Sequence, residues 1–329
     1  MTVRVGIIGA GAMGADHARR LHSAVSGATV TAVTDIDHDR AAALAEQVGA
    51  EVRADAGDLI TADAVDAVII ASHDSVHADQ VAACLAHRVP VLCEKPLAPT
   101  VADCARLVAA EEALDLPVPL ISVGFMRRFH PPYAEIVEAI DSGVIGEPLL
   151  ARCSHRNVIA YPGGDSAATI TNSAIHEIDI VGWLLGSPIT EVSWHATRST
   201  SLDGSRQDPQ VLLLRTASGV LTVVDVFVNA RYGYDVRCEV VGETGTVNLA
   251  PAHSITVDHA LTSTAAYPED WLPLFAEAYR RELQAWIDAV AAGRPSPLAT
   301  ARDGLQATRV AAALVESMNG GGVPVKVQS

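Results

Sequence analysis

Lysine is almost absent from this chain. The sequence holds 23 lysines and arginines together, yet lysine stands only at positions 95 and 326, and every other cation is arginine. Arginine cannot release its proton in a protein, whereas a lysine ammonium can be tuned to share or donate one. Lys95 lies between an apolar run and a proline, and we interpret it as a residue that does chemistry. The alternative is a surface ion pair with Glu94 that was retained by chance.

Other absences exclude whole classes of protein. No apolar run reaches the ~18 residues of a membrane span, and the segment from Met1 to Gly6 resembles a strand rather than a signal peptide. The net charge of −16 argues against nucleic acid or anionic lipid as a partner, because both are bound through basic patches. The five cysteines lack any Cys-x-x-Cys spacing, which disfavours disulfides and structural zinc. We therefore expect a cytoplasmic protein.

Aromatic residues are missing from the first third of the chain. Every Phe, Trp and Tyr lies at or after Phe125. A length of 329 residues is typical of about two domains. We therefore predict one domain over residues 1–123 and a second, differently built domain over residues 124–329.

A glycine-rich motif follows the first predicted strand, which covers Val3 to Ile8. Strand, G-x-G-x-x-G and helix in this order form the dinucleotide-binding fingerprint, in which phosphate lies at the helix N-terminus. A second strand ends about 20 residues later in Asp35, where a ribose-binding carboxylate is expected. Ile36 follows without an adjacent arginine, which favours NAD over NADP; the alternative for Asp35 is a turn residue. The motif residues are Gly9, Ala10, Gly11, Ala12, Met13 and Gly14.

Strands rich in Val, Ile, Leu and Ala continue to alternate with helices up to residue 123. This alternation predicts a doubly wound parallel sheet that is covered on both faces. Ligands bind beyond the carboxyl ends of such strands, so the residues that follow two of these strands are expected beside the glycine motif. His77 begins a helix near this edge and either contacts a nicotinamide or only caps and packs. The residues at the two strand ends are Ser72, His73, Glu94, Lys95 and Pro96.

The sequence of the second predicted domain has a different pattern. Strand-like alternations at short spacing indicate a large open, mostly antiparallel sheet, accompanied by helices, so the overall fold class is α/β. A helix near residues 172–185 carries a polar stripe at i, i+4, i+7 and i+11, formed by Asn172, His176, Asp179 and Trp183. We interpret this stripe as a pocket wall in which His176 takes a hydroxyl proton. The alternative is a histidine satisfied by a helix neighbour. A metal site with His155 lacks a ligand-spacing signature, and none is expected.

Together these motifs resemble the glucose-fructose oxidoreductase and inositol dehydrogenase family, often written Gfo/Idh/MocA, and within it the inositol dehydrogenase branch. The resemblance covers essentially the whole chain. It is carried by Gly9–Gly14, Asp35, Glu94-Lys95-Pro96, Gly124–Phe129, Ile145–Pro148, Ala151–Asn157, His176–Asp179 and Tyr232–Asp235.

The resemblance implies NAD-dependent oxidation of a ring secondary alcohol of a cyclitol, myo-inositol to 2-keto-myo-inositol (scyllo-inosose), by a homotetramer. It implies that Lys95 binds and polarises the reacting hydroxyl and that His176 is the general base. The substrate contacts that it implies are Lys95, Arg127, His155, Asn157, Asn172, His176 and Tyr234. The expected cofactor contacts are Gly9, Gly11, Ala12, Met13, Gly14, Asp35, Ser72, His73, His77, Glu94 and Lys95.

The chain departs from the family at one catalytic position. Asn172 stands where the family usually has an aspartate, one helical turn before the histidine. An asparagine carbonyl can orient the imidazole, but it cannot share a negative charge with an imidazolium. Either His176 works alone, or Lys95 carries more of the proton transfer, or another carboxylate such as Asp165 contributes.

Other functions remain compatible with the same motifs. The substrate is alternatively a related cyclitol, an aminocyclitol or a pyranose, and bound NAD could serve a redox-neutral glycoside cleavage. A non-catalytic NAD-binding sensor is the alternative of another class. A sensor needs the glycine motif but neither Lys95 nor His176, so these two residues favour an enzyme.

Overall fold

The computed structural model describes residues 2–61, 63–250 and 255–328. The helices are α1 (Ala12–Ser23), α2 (His38–Val48), α3 (Ala56–Ile60), α4 (His77–Ala86), α5 (Val101–Ala113), α6 (Pro131–Asp141), α7 (Ser166–Ala168), α8 (Ile175–Leu184), α9 (Trp271–Leu274), α10 (Ala276–Ala292) and α11 (Ala301–Asn319). The strands are β1 (Val3–Ile8), β2 (Ala28–Thr34), β3 (Glu51–Val52), β4 (Ala67–Ile70), β5 (Val91–Glu94), β6 (Ile121–Gly124), β7 (Pro148–Arg156), β8 (Ile189–Ala196), β9 (Gln210–Thr216), β10 (Leu221–Phe227), β11 (Asp235–Gly242), β12 (Thr246–Asn248), β13 (Val257–His259), β14 (Thr262–Thr264), β15 (Ala299–Thr300) and β16 (Val325–Lys326).

The chain forms two compact units. The first contains Met1–Met126 and Ala278–Thr308, and the second contains Arg127–Glu277 and Arg309–Ser329. The described part of the chain contains no helix that is both long and apolar enough to cross a membrane.

The sheet of the first unit has the strand order β3-β2-β1-β4-β5-β6, with β15 added at the β6 edge. β1 to β6 pair in parallel, and only β15 runs antiparallel to its neighbour. All residues of β4, β5 and β6 are buried, which explains their nearly continuous apolar sequences. This order is that of the dinucleotide-binding fold, and the direction of winding reverses between β1 and β4. The prediction of a doubly wound parallel sheet is confirmed.

Residues 278–308 pack with the first unit, whereas the division made from the sequence assigned them to residues 124–329. Gln284 on α10 accepts a hydrogen bond from the Ser26 amide (2.8 Å) and donates one to its carbonyl (3.1 Å). The Tyr279 ring meets His17 edge to face, at 5.7 Å between centroids. The two-residue strand β15 then pairs with β6. These contacts join residues more than 170 positions apart, and local sequence patterns carry no signal for them.

The sheet of the second unit has the order β12-β11-β7-β10-β9-β8-β16. Its pairs are antiparallel except β7 with β10, which is parallel. Buried and half-buried residues alternate strictly along β10, as expected for a sheet with only one covered face. The prediction of a mostly antiparallel sheet is confirmed.

The helix that carries His176 differs from the predicted one. The α-helical part begins at Ile175, and Asn172 precedes it in a π-helical segment, Thr169–Ala174. All residues from Ile175 to Val181 are buried. Burial therefore does not distinguish the polar positions of α8 from its apolar ones, because α8 is enclosed around most of its circumference.

Candidate functional site

Glycine occupies positions 9, 11 and 14 of the first turn for different structural reasons. Gly9 has φ of +96°, in the left-handed region, and a Cβ atom there would lie 2.6 Å from the backbone of Ala71. A Cβ atom on Gly14 would lie 1.7 Å from the carbonyl oxygen of Gly9. A Cβ atom on Gly11 would meet no described atom within 4 Å. Gly9 and Gly14 thus maintain the turn, while Gly11 leaves open the space that a pyrophosphate needs.

Asp35 joins the end of β2 to this turn. One carboxylate oxygen accepts a hydrogen bond from the Ala10 amide (2.6 Å), and the other accepts one from the Asp37 amide (2.8 Å). A carboxylate has about four acceptor positions, so Asp35 retains capacity for ribose hydroxyls. The neighbouring Ile36 side chain is fully exposed. This edge fits a dinucleotide, and Ala12 and Met13 begin α1 beside it.

The residues after β4 have different exposures. Ser72 donates a hydrogen bond to Gln80 (2.7 Å), and His73 is 77% exposed beside Asp74. His77 is buried, and its ring nitrogens lie 2.8 Å from the Pro96 carbonyl oxygen and 3.1 Å from that of Ser72. Both partners are acceptors, so a neutral His77 ring donates to one of them at a time. His77 links the chain after β4 to the chain after β5.

Glu94 lies buried at the end of β5. Its Oε1 is 2.7 Å from Nε2 of His17, and its Oε2 accepts a hydrogen bond from the Lys95 amide (3.2 Å). Burial would raise the pKa of Glu94, but the hydrogen bond from His17 and the charges of His17 and Lys95 outweigh it and lower the pKa. The site therefore contains a buried carboxylate next to Lys95. The peptide bond between Lys95 and Pro96 is cis.

A second buried carboxylate organises the site residues of the second unit. Glu177 accepts a hydrogen bond from Nη1 of Arg127, and its Oε2 lies 3.0 Å from Nδ1 of His155. The Arg127 guanidinium stands over the Phe275 ring, 5.5 Å from the centroid. Burial works against both charges, but their mutual attraction raises the pKa of Arg127 and lowers that of Glu177. Removing one partner of such a pair costs about 3–5 kcal/mol.

Four of the seven predicted substrate contacts, Arg127, His155, Asn157 and Tyr234, lie together in this network. His155 Nε2 donates to Oδ1 of Asn157 (2.6 Å), and the His155 ring meets Tyr234 edge to face at 5.9 Å. Burial raises the pKa of Tyr234 to about 12. Arg127, His155 and Tyr234 are 1–3% exposed, whereas Asn157 is partly exposed. Asn157 is thus the member of this set that reaches the surface of its unit.

The other predicted site residues differ in how far they are exposed to solvent. His176 is 9% exposed on α8, and Asn172 is exposed in the π-helical segment. Asp179 binds Arg128 through both carboxylate oxygens (2.5 and 3.0 Å), so it does not line an open wall. Asp165 caps α7 by accepting from the Ala168 amide (2.8 Å). Among the described residues, no three His, Cys, Asp or Glu side chains are grouped as a metal site.

The sequence interpretation missed His17 and gave Glu177 no role. His17 occupies the buried face of α1 with Gly14, Ala18 and Leu21, at the spacing of a helix core face. A histidine at such a position was a usable signal. Glu177 lies next to His176 in a segment that is otherwise mostly apolar from residue 174 to residue 185, which was a signal for a paired buried charge.

Comparison with known proteins agrees with the fold. Residues 3–121 match the family model described as "Oxidoreductase family, NAD-binding Rossmann fold", and residues 137–327 match its C-terminal alpha/beta domain. The chain is 49% identical to inositol 2-dehydrogenase 2 of Paenarthrobacter aurescens, over 99% of both chains. It is 48% identical to inositol 2-dehydrogenase 1 of Saccharopolyspora erythraea, over 100% of this chain and 97% of that one.

A solved structure is also similar over the full length. The crystal structure of myo-inositol dehydrogenase from Lactobacillus casei in complex with NAD(H) and myo-inositol has a TM-score of 0.95 and 35% identity. The alignment covers 100% of this chain and 98% of that chain.

Two alanine substitutions distinguish the roles of the glycines. We expect Gly14→Ala to lower both Tm and NAD affinity, because its Cβ would overlap the Gly9 carbonyl. We expect Gly11→Ala to retain the wild-type Tm while NAD affinity falls at least about tenfold, because its Cβ occupies the space for pyrophosphate. Thermal unfolding and titration calorimetry measure the two quantities. Wild-type NAD affinity in Gly11→Ala would contradict this assignment.

Proposed function

Because this chain belongs to the Gfo/Idh/MocA oxidoreductase family, we propose that it oxidises a ring secondary alcohol of a cyclitol with NAD. The proposed reaction converts myo-inositol to 2-keto-myo-inositol. The observation that carries this proposal is identity near 49% over the full length with inositol 2-dehydrogenases. The placement of a rare lysine at the end of β5, beside a buried carboxylate, supports it.

The first unit would hold the cofactor. We assign the pyrophosphate to the turn from Gly9 to Gly14 and the ribose to Asp35, with Ser72, His73, His77 and Glu94 shaping the remainder of the edge. Bound NAD supplies a hydride acceptor at C4 of its nicotinamide. The absence of an arginine beside Asp35 disfavours a 2′-phosphate, in agreement with the NAD-binding family.

Two residues would handle the proton. Lys95 donates a hydrogen bond to the reacting hydroxyl and stabilises the negative charge that develops on its oxygen. His176 takes the hydroxyl proton as the C–H bond breaks and its electron pair leaves as hydride. The products are a ketone, NADH and a proton.

The second unit would bind the remaining hydroxyls. We propose that Arg127, His155, Asn157 and Tyr234 form the substrate-contacting set. His155 holds Oδ1 of Asn157, which orients the amide nitrogen as a donor to a substrate hydroxyl. Arg127 also orients His155, because its guanidinium is buried against Glu177 and its Nη2 lies 3.1 Å from Nδ1 of His155.

Lysine substitution tests the centre of this assignment. We expect Lys95→Ala to lower kcat/KM for myo-inositol at least about 10²-fold, because the donor that stabilises the developing negative charge is lost. Lys326→Ala is the matched control, because it removes the other lysine, which pairs with Glu191 on the surface. NADH absorbance with myo-inositol, scyllo-inositol, an aminocyclitol and glucose gives the rates. Full activity of Lys95→Ala would overturn the assignment, and turnover of glucose alone would overturn the substrate.

Asn172 is expected to tune His176 without being indispensable. An aspartate here would favour the imidazolium, so Asn172→Asp should move the acidic limb of the kcat/KM–pH profile to higher pH while activity persists. The pH profile and the NAD affinity are measured together. An inactive variant that still binds NAD would show that this position does more than tune His176.

We further propose that the enzyme is a cytoplasmic homotetramer. The family resemblance supports the assembly, and five buried free cysteines agree with a reducing compartment. Light scattering coupled to size exclusion should give four times the chain mass of 34.4 kDa. A monomer mass at micromolar concentration would refute the tetramer.

A further inference from the structure

His17 is a buried histidine on α1, the helix that follows the glycine turn. Its side chain is 1% exposed, and Nε2 lies 2.7 Å from Oε1 of Glu94. Its Nδ1 is buried and has no hydrogen-bond partner among the described residues. The imidazole and the Tyr279 ring are in an edge-to-face arrangement. Within the described part of the chain, the ring therefore makes its polar contact through Nε2 alone, and that contact goes to the residue before Lys95.

The Glu94 carboxylate is held from more than one direction. Its second oxygen accepts from the Lys95 amide (3.2 Å). On another side, a Cβ atom at Gly124 would lie 3.3 Å from the carboxylate, so β6 approaches closely there because it has glycine. The carboxylate thus spans from α1 to the main chain of Lys95.

We propose that His17 is a positioning residue for Lys95: by holding the Glu94 carboxylate, it fixes the main chain from which the Lys95 side chain extends. The inference rests on the proposed catalytic role of Lys95. His17 does not need to touch substrate or cofactor for this role. Loss of the contact would leave a buried carboxylate without its main donor, and Glu94 would then protonate or turn away.

The position of Nε2 predicts different outcomes for the replacement of His17 by glutamine and by asparagine. The glutamine amide nitrogen is separated from Cα by the same number of bonds as histidine Nε2, whereas the asparagine nitrogen is one bond closer and corresponds to Nδ1. His17→Gln can therefore restore the hydrogen bond to Glu94, and His17→Asn cannot. A role in packing alone would not favour glutamine in this way.

We expect kcat of His17→Asn to fall by about 10–10²-fold, the range for a catalytic group misplaced by about 1 Å. We expect His17→Gln to retain kcat within about threefold, and both variants to keep wild-type NAD affinity. His22→Asn is the matched control, because the same substitution falls on an exposed position of the same helix. Equal kcat loss in His17→Gln and His17→Asn, or loss in neither, would overturn the proposal.

A second readout is independent of the substrate. With lysine labelled at the ε carbon with ¹³C, the protein gives two side-chain signals, which Lys326→Arg assigns. In His17→Asn, protonation of Glu94 or its turning away removes a negative charge from beside Lys95, so the Lys95 pKa should fall below its wild-type value; in His17→Gln the Lys95 pKa should stay unchanged. An unchanged Lys95 pKa in His17→Asn would contradict the proposal. The Lys95 pKa is obtained from a pH titration of its ¹³C signal, which needs no substrate. If wild-type protein oxidises no cyclitol, the proposed function fails, and the pH titration still tests the positioning role.

Discussion

Burying a carboxylate is unfavourable unless donors surround it, and the site of the first unit depends on one such group, Glu94. Its stabilisation requires His17 on α1, the Lys95 amide and a glycine at position 124. His17 lies on α1, Lys95 directly follows β5, and Gly124 ends β6. The packing of α1 against the sheet, which includes the glycine turn, therefore also determines the position of the Lys95 main chain. Lys95, one of two lysines in the chain, directly follows this buried carboxylate and donates its amide hydrogen to it.

The second unit also contains a buried carboxylate that is stabilised by groups from other elements. Glu177 is buried on α8, and Arg127 and His155 stabilise its charge from other elements. Through His155 this pair orients Asn157, which reaches the surface of the unit. In each unit a buried carboxylate is paired with groups from other elements and lies near a more exposed residue, Lys95 in the first unit and Asn157 in the second. Arg127 illustrates the distinction, since its guanidinium binds protein groups despite its place in a family motif.

Local patterns predicted most of the fold but not its long-range contacts. The glycine motif, the parallel sheet and the mostly antiparallel second sheet were readable because each depends on periodicity or turn chemistry within short windows. The packing of α10 and β15 in the first unit could not be predicted from local sequence patterns, because contacting residues such as Gln284 and Ser26 are far apart in sequence. The π-helical segment before Ile175 also escaped prediction, since an i+4 spacing assumes regular α-helix. His17 and Glu177 were hidden because their partners lie on other elements.

The most direct test of the account follows the hydride itself. The purified protein would be incubated with NAD and with myo-inositol that carries deuterium on C2, and the reduced cofactor would be examined by mass spectrometry. The account predicts that deuterium appears on the nicotinamide ring and that the cyclitol product is the 2-ketone. Reduced cofactor without deuterium, or no reduced cofactor at all, would contradict it.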